Sequence, residues 1–444
     1  MIFLLGLFLL SVANVKAQTL TQTDSLTMET MLHNLPEVMV KGSRPIVKAE
    51  RGMLSYNMPL LLKQLPADNA YEALTRIPGV SDATGSISFS GNEVTLIING
   101  QATTLTQEQL TERLKAMPAA QLAKAEVMLS APARYHVRGM AINIVTKDYA
   151  GTNQLSGQII GGLVQTKYAK GFGDLYLSMQ RGKFGLDAQY KLVNGNSYGE
   201  SSRIANHPLG NNRIHYNDET GQKSFGITHD YRLGMNYIFS KNNRLDVAYT
   251  GQWDKTNSNS RTTGSSISGM HRDSHKYLHN VDINYALPFG LTLSGSYTYY
   301  CTPQQQALDG TMHTDESMPE TERNLTSGSE QTINKWMFTA DQTHSLANCW
   351  GLSYGVKGQF TSNKSYQTTI DKDGSVLPDG TSSVDLNERI WNIYAGFSKQ
   401  INKAISLEAS VAAEQYHSPI CGENGAFPPT RNGCIHSLSM RERG

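Results

Sequence analysis

Apolar and polar residues alternate with a period of two over long stretches of the chain after residue 150. In residues 245–253 the odd positions carry mainly Leu, Val, Tyr and Trp, and the positions between them are mostly polar. The same alternation recurs in residues 281–287, 291–299 and 405–411. Successive side chains of a strand point to opposite faces, so these segments predict strands with one apolar and one polar face. Several reach about 10 residues, the length that a tilted strand needs to cross a bilayer.

Short and long connections alternate between these predicted strands. The short ones are residues 181–183, 240–243, 287–290, 347–351 and 400–403, and the long polar ones are residues 194–224, 256–275, 302–331 and 362–387. This alternation is typical of an outer-membrane barrel with periplasmic turns and extracellular loops, and we count about eleven strands up to residue 416. A soluble β-sandwich, the alternative, gives no reason for such a segregation of loop lengths.

The first 150 residues mix helical and strand patterns. Residues 69–77 predict a short amphipathic helix, and residues 106–115 predict a second helix that starts with a capping-box pattern. Between them, residues 87–89 and 94–98 predict strands, the second of which ends at the turn dipeptide Asn99-Gly100. This region therefore predicts a small α+β domain ahead of the strand-rich region.

The N-terminus carries the one strongly apolar run of the chain, residues 1–13. Val15-Lys16-Ala17, before Gln18, supplies the small residues that a signal peptidase needs, so residues 1–17 predict a signal peptide and an exported protein. An uncleaved anchor helix is the alternative, although such a helix needs about 20 apolar residues. No later segment has the pattern of a transmembrane helix.

Charge and motif content argue against several classes of function. The chain has 39 Lys and Arg against 38 Asp and Glu, a net charge of +1, which offers no electrostatic footprint for nucleic acid. Phosphate-binding loops and His-Glu-x-x-His zinc pairs do not occur. Gly-x-Ser-x-Gly occurs around Ser197, in a predicted loop, and around Ser353, at a strand entry, and neither place is the strand-to-helix turn of a nucleophile elbow. We predict no catalytic residue and no cofactor.

Metal binding and disulfide formation were considered for the His, Asp and Cys residues. His271, His275 and His279 are spaced by four at the start of a strand, where that spacing does not bring side chains together, and Asp371-Lys372-Asp373-Gly374 starts like a calcium loop but lacks its closing Glu. We therefore predict no metal site. Cys301 and Cys349 are expected to lie too far apart to bond, whereas Cys421 and Cys434 are close in sequence and could pair.

Several motifs of the α+β region are similar to those of TonB-dependent outer-membrane receptors of the Bacteroidetes type. They are Arg76-Ile77-Pro78-Gly79-Val80, Leu96-Ile97-Ile98-Asn99-Gly100-Gln101, Glu126-Val127, Tyr135 with Gly139, and Ile142-Asn143-Ile144-Val145-Thr146-Lys147. The family usually has a Gly-Gly pair before the last motif, where this chain has Gly139-Met140-Ala141. The order of signal peptide, α+β domain and strand-rich region also resembles this family. The plug residues that carry the resemblance are Arg76, Pro78, Gly79, Asn99, Gly100, Glu126, Gly139, Ile142, Asn143 and Ile144.

The resemblance implies a mainly β fold, in which a small α+β plug domain precedes an antiparallel transmembrane β-barrel. It implies a periplasmic segment over residues 18–45, a plug over residues 46–150 and barrel strands over residues 151–417. Within the periplasmic segment, one stretch resembles the TonB box: Leu35, Pro36, Glu37, Val38, Met39, Val40 and Lys41. An extended segment of this kind can add as a strand to the sheet edge of a partner. The alternative is an ordinary first strand of the plug.

The function implied by the resemblance is that of an outer-membrane receptor, which binds a scarce extracellular ligand and imports it when the plug is displaced. Its expected partners are a TonB-type energy-transducing protein, outer-membrane lipids, an unidentified extracellular ligand and, as a further candidate, a surface lipoprotein. Two other classes stay open. One is a passive binding or adhesion barrel, and the other is a barrel-embedded hydrolase.

The family's barrel has about 22 strands, so the strands counted in this chain make up about half of it. After residue 417 the alternation stops, and we expect residues 418–444 to form a tail outside the barrel. An open half-barrel would expose unpaired strand edges to lipid, where each unsatisfied backbone group costs several kcal/mol. We therefore expect a C-terminally truncated barrel, caused by a frameshift or truncation near residue 418.

Overall fold

The structure is a computed structural model that describes residues 45–50, 53–82, 86–105, 107–147, 153–209, 212–240, 242–312, 321–401, 406–418, 420–422 and 435–441. The predicted signal peptide and the TonB-box candidate, residues 35–41, lie outside these described residues, as do Thr106 of the predicted capping box and Cys434.

The first domain is the predicted α+β unit. Its described part contains helices α1 (Met58–Gln64), α2 (Ala70–Thr75) and α3 (Gln107–Ala116), and strands β1 (Val47–Glu50), β2 (Met53–Asn57), β3 (Val80–Asp82), β4 (Ile87–Phe89), β5 (Asn92–Glu93), β6 (Thr95–Ile98), β7 (Gln101–Ala102), β8 (Leu122–Met128) and β9 (Ala141–Thr146). Six strands form one sheet in the order β1-β2-β8-β9-β6-β7, and β3, β4 and β5 form a second. Both predicted helices and both predicted strands are confirmed.

Local sequence explains where the helices begin and end. The side chain of Asn69 caps α2 by accepting a hydrogen bond from Glu72 N at 2.9 Å, and Asn57 caps α1 in the same way at 3.1 Å. The turn after α2 contains Gly79 at φ +87°, where a Cβ would approach Phe89 Cε2 to 2.9 Å. Only glycine adopts this conformation without strain, so the chain can turn here directly into β3.

This α+β domain, which we call the plug after the role expected from the sequence, has its own apolar core, in which side chains of the helices pack on the six-stranded sheet. The fully buried members include Leu74, Leu96, Leu110, Leu114, Ile142 and Ile144. Truncating a side chain of this kind to Ala costs about 2–5 kcal/mol, because a cavity is left as well as lost burial. The core therefore lets the plug keep its shape when its outer contacts change.

The second region is one antiparallel sheet of thirteen strands, which we call the wall. The strands are β10 (Asn153–Gln165), β11 (Ala169–Arg181), β12 (Phe184–Leu209), β13 (Asn212–Ser240), β14 (Asn243–Gly264), β15 (Ser266–Ala286), β16 (Leu291–Met312), β17 (Thr321–Ser345), β18 (Trp350–Asp371), β19 (Ser382–Gln400), β20 (Ser406–His417), β21 (Ile420–Gly422) and β22 (Ile435–Arg441). Within the described residues the order runs from β10 to β20 and then β22, with β21 paired to β19. Two short strands thus lie in residues 418–444, where we expected none.

Most of the described residues in the four long polar stretches lie in strands and not in loops, so the expectation of long loops was wrong for them. Residues 194–224 continue β12 and β13, which stay paired up to Leu209 opposite Asn212, and the other three stretches likewise extend paired strands. We call these paired extensions of the strands the polar hairpin arms. Polar residues occupy both of their faces, so their sequences show no hydrophobic period. Hydrogen bonds between the paired strands nevertheless satisfy their backbone groups. At roughly 3.3 Å per residue, the 29 residues of β13 span about 95 Å, several times the hydrocarbon thickness of a bilayer.

The two faces of the wall differ as the period-two pattern predicts. Large apolar side chains on the face away from the plug are exposed, among them Ile159, Trp336, Phe338, Trp391 and Ile393. Asp246 pairs with Asn284 on the plug side, while Val247 pairs with Ile283 on the opposite side. Tyr300 of β16 packs against the plug core. None of the described helices combines the length and apolar character needed to cross a membrane.

Candidate functional site

The contact between plug and wall is mainly polar. Among the described residues, Leu278 is the one wall side chain in the buried apolar cluster of the plug, and Tyr300 packs against that cluster. Most of the other contacts described below are hydrogen bonds and ion pairs, and they come from three places on the plug: the β6–β7 region, helix α3 and residues 134–138. These three places define the candidate site.

A buried group of hydroxyl and amide side chains joins the plug to β15 and β16. Thr104 Oγ1 lies 2.8 Å from Ser296 Oγ and 2.7 Å from Thr298 Oγ1. Asn280, which is 0% exposed, donates through Nδ2 to Thr104 Oγ1 at 3.2 Å. Gln101 Nε2 donates to Ser294 Oγ, which lies two residues before Ser296 on β16. Buried polar groups are costly unless paired, so these residues hold the plug in one register on the wall.

Helix α3 presents Arg113 to the wall in its last turn. Arg113 Nη1 lies 3.7 Å from Asp282 Oδ2, and its side chain is 11% exposed. Burial, together with the nearby Arg232 guanidinium, lowers the pKa of Arg113 to about 10, although the carboxylates of Asp282 and Asp187 act in the opposite direction. The guanidinium is therefore charged at neutral pH, but its charge is only partly compensated.

Residues 134–138 reach four strands of the wall, three of them through the side chain and backbone of His136. The ring Nε2 lies 2.8 Å from Asp341 Oδ1 of β17, and Nδ1 lies 2.9 Å from Asn392 Oδ1 of β19. The side chain is 4% exposed and meets the ring of Tyr394 edge-on at 5.1 Å. Lys357 of β18 donates to the backbone carbonyl at 3.4 Å. His136 has φ +52°, a left-handed conformation that costs a residue with a side chain about 1–2 kcal/mol.

Two arginines flank this histidine and pair with the fourth strand, β20. Arg134 Nη1 lies 3.4 Å from Glu408 Oε1, and Arg138 Nη2 lies 2.9 Å from Glu414 Oε1. The Arg138 side chain is 61% exposed, so water screens its ion pair. The half-buried pair of Arg134 therefore contributes more to the attachment than the pair of Arg138.

Four of the plug residues singled out from the sequence form one network inside the six-stranded sheet. Asn143 Nδ2 donates to Glu126 Oε2 at 2.7 Å, and Gly100 N donates to Asn143 Oδ1 at 2.9 Å. Asn99 Oδ1 accepts from Thr146 N at 2.9 Å. These residues tie the β6–β7 turn to β8 and β9, so they shape the plug.

The other residues of that set lie elsewhere in the plug. Ile142 and Ile144 are buried in the core, whereas Arg76 and Pro78 are exposed at the turn after α2 with Gly79. Gly139 has φ +74°, and its carbonyl accepts from Ala131 N at 2.8 Å. This bend closes the loop that carries residues 134–138, so Gly139 positions the wall contacts indirectly.

The contacts that the sequence did not reveal come from Thr104, Arg113 and His136 and from their wall partners. One signal was available: Asp282 and Asp341 are charged residues inside amphipathic strands. Asp282 shares a face with Asn280 and Asn284, and such a polar face must meet water or another polar surface. The plug partners carried no comparable signal, because their roles depend on the docked position of the plug.

A cavity of about 430 Å³ separates the plug from the wall on the side of β11–β15. Arg113, Gln121 and Lys147 line it from the plug, and Asn236 and Asp246 are among the residues that line it from the wall. The plug thus contacts β15–β20 directly, and beside the contacts with β15 it leaves open space toward β11–β14.

The structure also shows where the serines, metal-ligand candidates and cysteines considered in the sequence analysis lie. Ser197 lies within β12 and Ser353 within β18, so neither sits at a strand-to-helix turn. Within the described residues, no group of three or more His, Cys, Asp or Glu side chains is arranged to hold a metal ion. Cys301 is a buried free thiol and Cys349 an exposed one.

Comparison with known proteins gives one family and several solved structures. Residues 289–424 match the model of the Outer membrane protein beta-barrel family. No curated protein matches the chain. The chain is similar to the ferric yersiniabactin uptake receptor FyuA of Yersinia pestis, at 12% identity over 84% of this chain and 72% of that chain, with a TM-score of 0.41.

Two further solved structures show comparable similarity. One is the ferric citrate transporter FecA, at 13% identity over 85% of this chain and 77% of that chain, with a TM-score of 0.34. The other is the ferric-catecholate import receptor Fiu of E. coli K12, at 11% identity, 90% and 81% coverage and a TM-score of 0.33.

Because these sequence identities and TM-scores are low, the assignment of the strand region rests on the family match and on the sheet itself. The matched segment begins before β16 and ends after β21, within a thirteen-stranded antiparallel sheet that has an apolar outer face. A small α+β domain is attached to the other face by polar contacts. Residues 289–424 therefore match an outer-membrane β-barrel family, and among the described residues the same antiparallel sheet continues on both sides of this segment.

Proposed function

We propose that this protein is an outer-membrane receptor that binds an extracellular ligand and imports it when a TonB-type partner displaces the plug. The observation that carries the proposal is the polar character of the contact between plug and wall. Apolar contact is confined largely to Leu278, Tyr300 and the ring of Tyr394, and many of the other described contacts are hydrogen bonds and ion pairs. Such a contact suits a plug that has to move.

The physical reason is the difference between polar and apolar contacts when water enters. A hydrogen bond exchanged for one to water changes the free energy by only about 0.5–1.5 kcal/mol net. Apolar surface that becomes exposed to water gains no replacement partner, and its exposure costs about 25 cal/mol per Å². The plug can therefore leave the wall stepwise while its own apolar core stays intact.

The partner is proposed to engage residues 35–41 by strand addition, in which main-chain hydrogen bonds give affinity and alternate side chains give specificity. Force on this segment would be transmitted to the plug domain that follows it. An extracellular ligand and outer-membrane lipids complete the proposed set of partners, with a surface lipoprotein as a further candidate.

Replacement of Val38 by Pro tests this proposal, because Pro removes a main-chain donor from the added strand. We expect the variant to lose binding to the purified periplasmic domain of a TonB-type protein and to lose cellular accumulation of a ligand found by screening. Binding of that ligand at the cell surface should stay unchanged. Val38→Thr, which keeps the β-branched shape and the donor, is the matched control. Normal accumulation by the Pro variant would instead favour a passive binding barrel.

A further inference from the structure

The cavity between the plug and β11–β15 contains a buried cation that the protein compensates only in part. Arg113 is the charged residue that α3 contributes to the cavity lining. Its ion pair with Asp282 has an N···O distance of 3.7 Å, and its Nε is buried with no hydrogen-bond partner in the protein. A buried charge is costly unless it is both paired and hydrogen-bonded. The geometry around Arg113 thus leaves a donor for a further acceptor.

The other arginines of the cavity already have close carboxylate partners. Arg232 Nε lies 3.3 Å from Asp187 Oδ2, and Arg244 Nη2 lies 2.7 Å from Asp246 Oδ1. Lys147 of the plug adds another positive charge to the lining. With Arg113, Arg232, Arg244 and Lys147 against the three aspartates Asp187, Asp246 and Asp282, the charged lining has one more cation than anion. This net positive charge favours an anionic ligand.

Position and size also suit a ligand site. A volume of about 430 Å³ falls within the range of roughly 300–1,000 Å³ that small-molecule sites occupy. Asn236 Oδ1, on β13, is a buried acceptor without a hydrogen-bond partner in the protein, and Asn236 lines the same cavity. A ligand held there could accept from Arg113 and donate to Asn236 at the same time.

We propose that this cavity is a binding site for a small carboxylate-bearing molecule, which Arg113 recognises through its guanidinium group. A carboxylate fits because its two oxygens match the planar donor fork of arginine. As a stopping point on the path of an imported ligand, the site rests on the proposed transport function. As a binding site, it is independent of that function.

The experiment uses the purified full chain in detergent and succinate as the probe, measured by isothermal titration calorimetry. Succinamide, a neutral analogue of nearly the same shape, is the control ligand. We expect succinate to bind and succinamide to bind at least tenfold more weakly. Arg113→Gln should weaken succinate binding at least tenfold, because the cation is lost.

A second variant keeps the test decisive if Arg113→Gln folds poorly. Asp282→Asn removes the carboxylate that competes for Arg113, so succinate should bind several-fold more tightly. Arg138→Gln is the matched control, because Arg138 is also a plug arginine with a carboxylate partner but does not line the cavity. Its affinity for succinate should equal that of the unchanged chain.

Absence of succinate binding to the unchanged chain would overturn the proposal. Equal affinity of Arg113→Gln and the unchanged chain, or equal losses in Arg113→Gln and Arg138→Gln, would also overturn it. These results do not depend on uptake. A chain that binds succinate as expected but shows normal accumulation with Val38→Pro would retain the site and lose the proposed transport function.

Discussion

The plug meets the wall in different ways on its two flanks. Toward β17–β20, residues 134–138 place charged and aromatic groups in direct contact with the wall, with His136 at 2.8 Å from Asp341. Toward β11–β15, the plug surface borders the cavity of about 430 Å³, and Arg113 approaches Asp282 only to 3.7 Å. The first flank has short, partly buried contacts, and the second has a long ion pair beside open space.

This difference indicates which flank separates first. Breaking a short hydrogen bond between buried groups leaves a polar group without a partner, which costs its full desolvation penalty. The Arg113–Asp282 ion pair, at 3.7 Å, is too long for a hydrogen bond, so less is lost when it separates. For the plug displacement that we propose, we therefore expect the plug to leave the wall first at the cavity, while residues 134–138 stay attached for longer. The following substitutions test that expectation.

Asp341→Ala should have the largest effect. It removes the acceptor of a histidine that is 4% exposed, so we expect a loss of about 2–3 kcal/mol in plug attachment. Asp246→Ala is the matched control on the cavity flank, because its ion pair is with Arg244 of the same strand. Limited proteolysis of the plug across a urea series gives the measurement. Equal sensitivity of the two variants would contradict the comparison.

Thr104→Val should weaken the attachment by about 1–3 kcal/mol, since it leaves the partner groups on β15 and β16 buried with fewer hydrogen bonds. The control is Thr111→Val in α3. Thr111 is 3% exposed and its hydroxyl has no hydrogen-bond partner in the protein, so its replacement should be neutral or slightly stabilising. Urea denaturation monitored by Trp fluorescence and plug proteolysis compares the pair. A larger loss for the α3 variant would count against the hydroxyl group as an attachment point.

His136 offers the smallest and most specific test, because it combines wall contacts with a left-handed backbone. His136→Ala and His136→Gly both remove the ring contacts with Asp341 and Asn392. Only Gly relieves the backbone cost at φ +52°, so the Gly variant should be more stable than the Ala variant by about 1 kcal/mol. The same urea series measures the difference. If the Ala variant were as stable as the Gly variant, the backbone of this residue would not be fixed by the attachment.

The sequence predicted the alternation of strands, the short turns and the α+β domain, because each depends on local periodicity or on turn residues. It failed for the polar hairpin arms, since a strand with Ser, Thr and Asn on both faces has no hydrophobic period even when its backbone is fully paired. Residues 194–224 are the clearest case, as they lie largely within the two longest strands, β12 and β13.

The candidate site was less accessible to sequence reasoning. The network of Asn99, Glu126 and Asn143 lies within motifs that the family resemblance marked. The contacts of Thr104, Arg113 and His136 depend on where the plug docks. No local pattern encodes a pairing between His136 and Asn392, which are 256 residues apart. Their positions required the packed structure.

That separation along the chain has a consequence for the order of folding. The apolar core of the plug is built from residues up to Ile144, with Leu278 as its one member from the wall. The plug's hydrogen bonds to the wall, in contrast, join residues that are far apart in the chain. Thr104 and Asn280 are separated by 176 residues, and Arg138 and Glu414 by 276. Contacts between such distant positions form late, because chain closure must come first. We therefore expect the plug to fold early as a separate unit and to be attached strand by strand, with β20 supplying the last anchors as the sheet is completed around it.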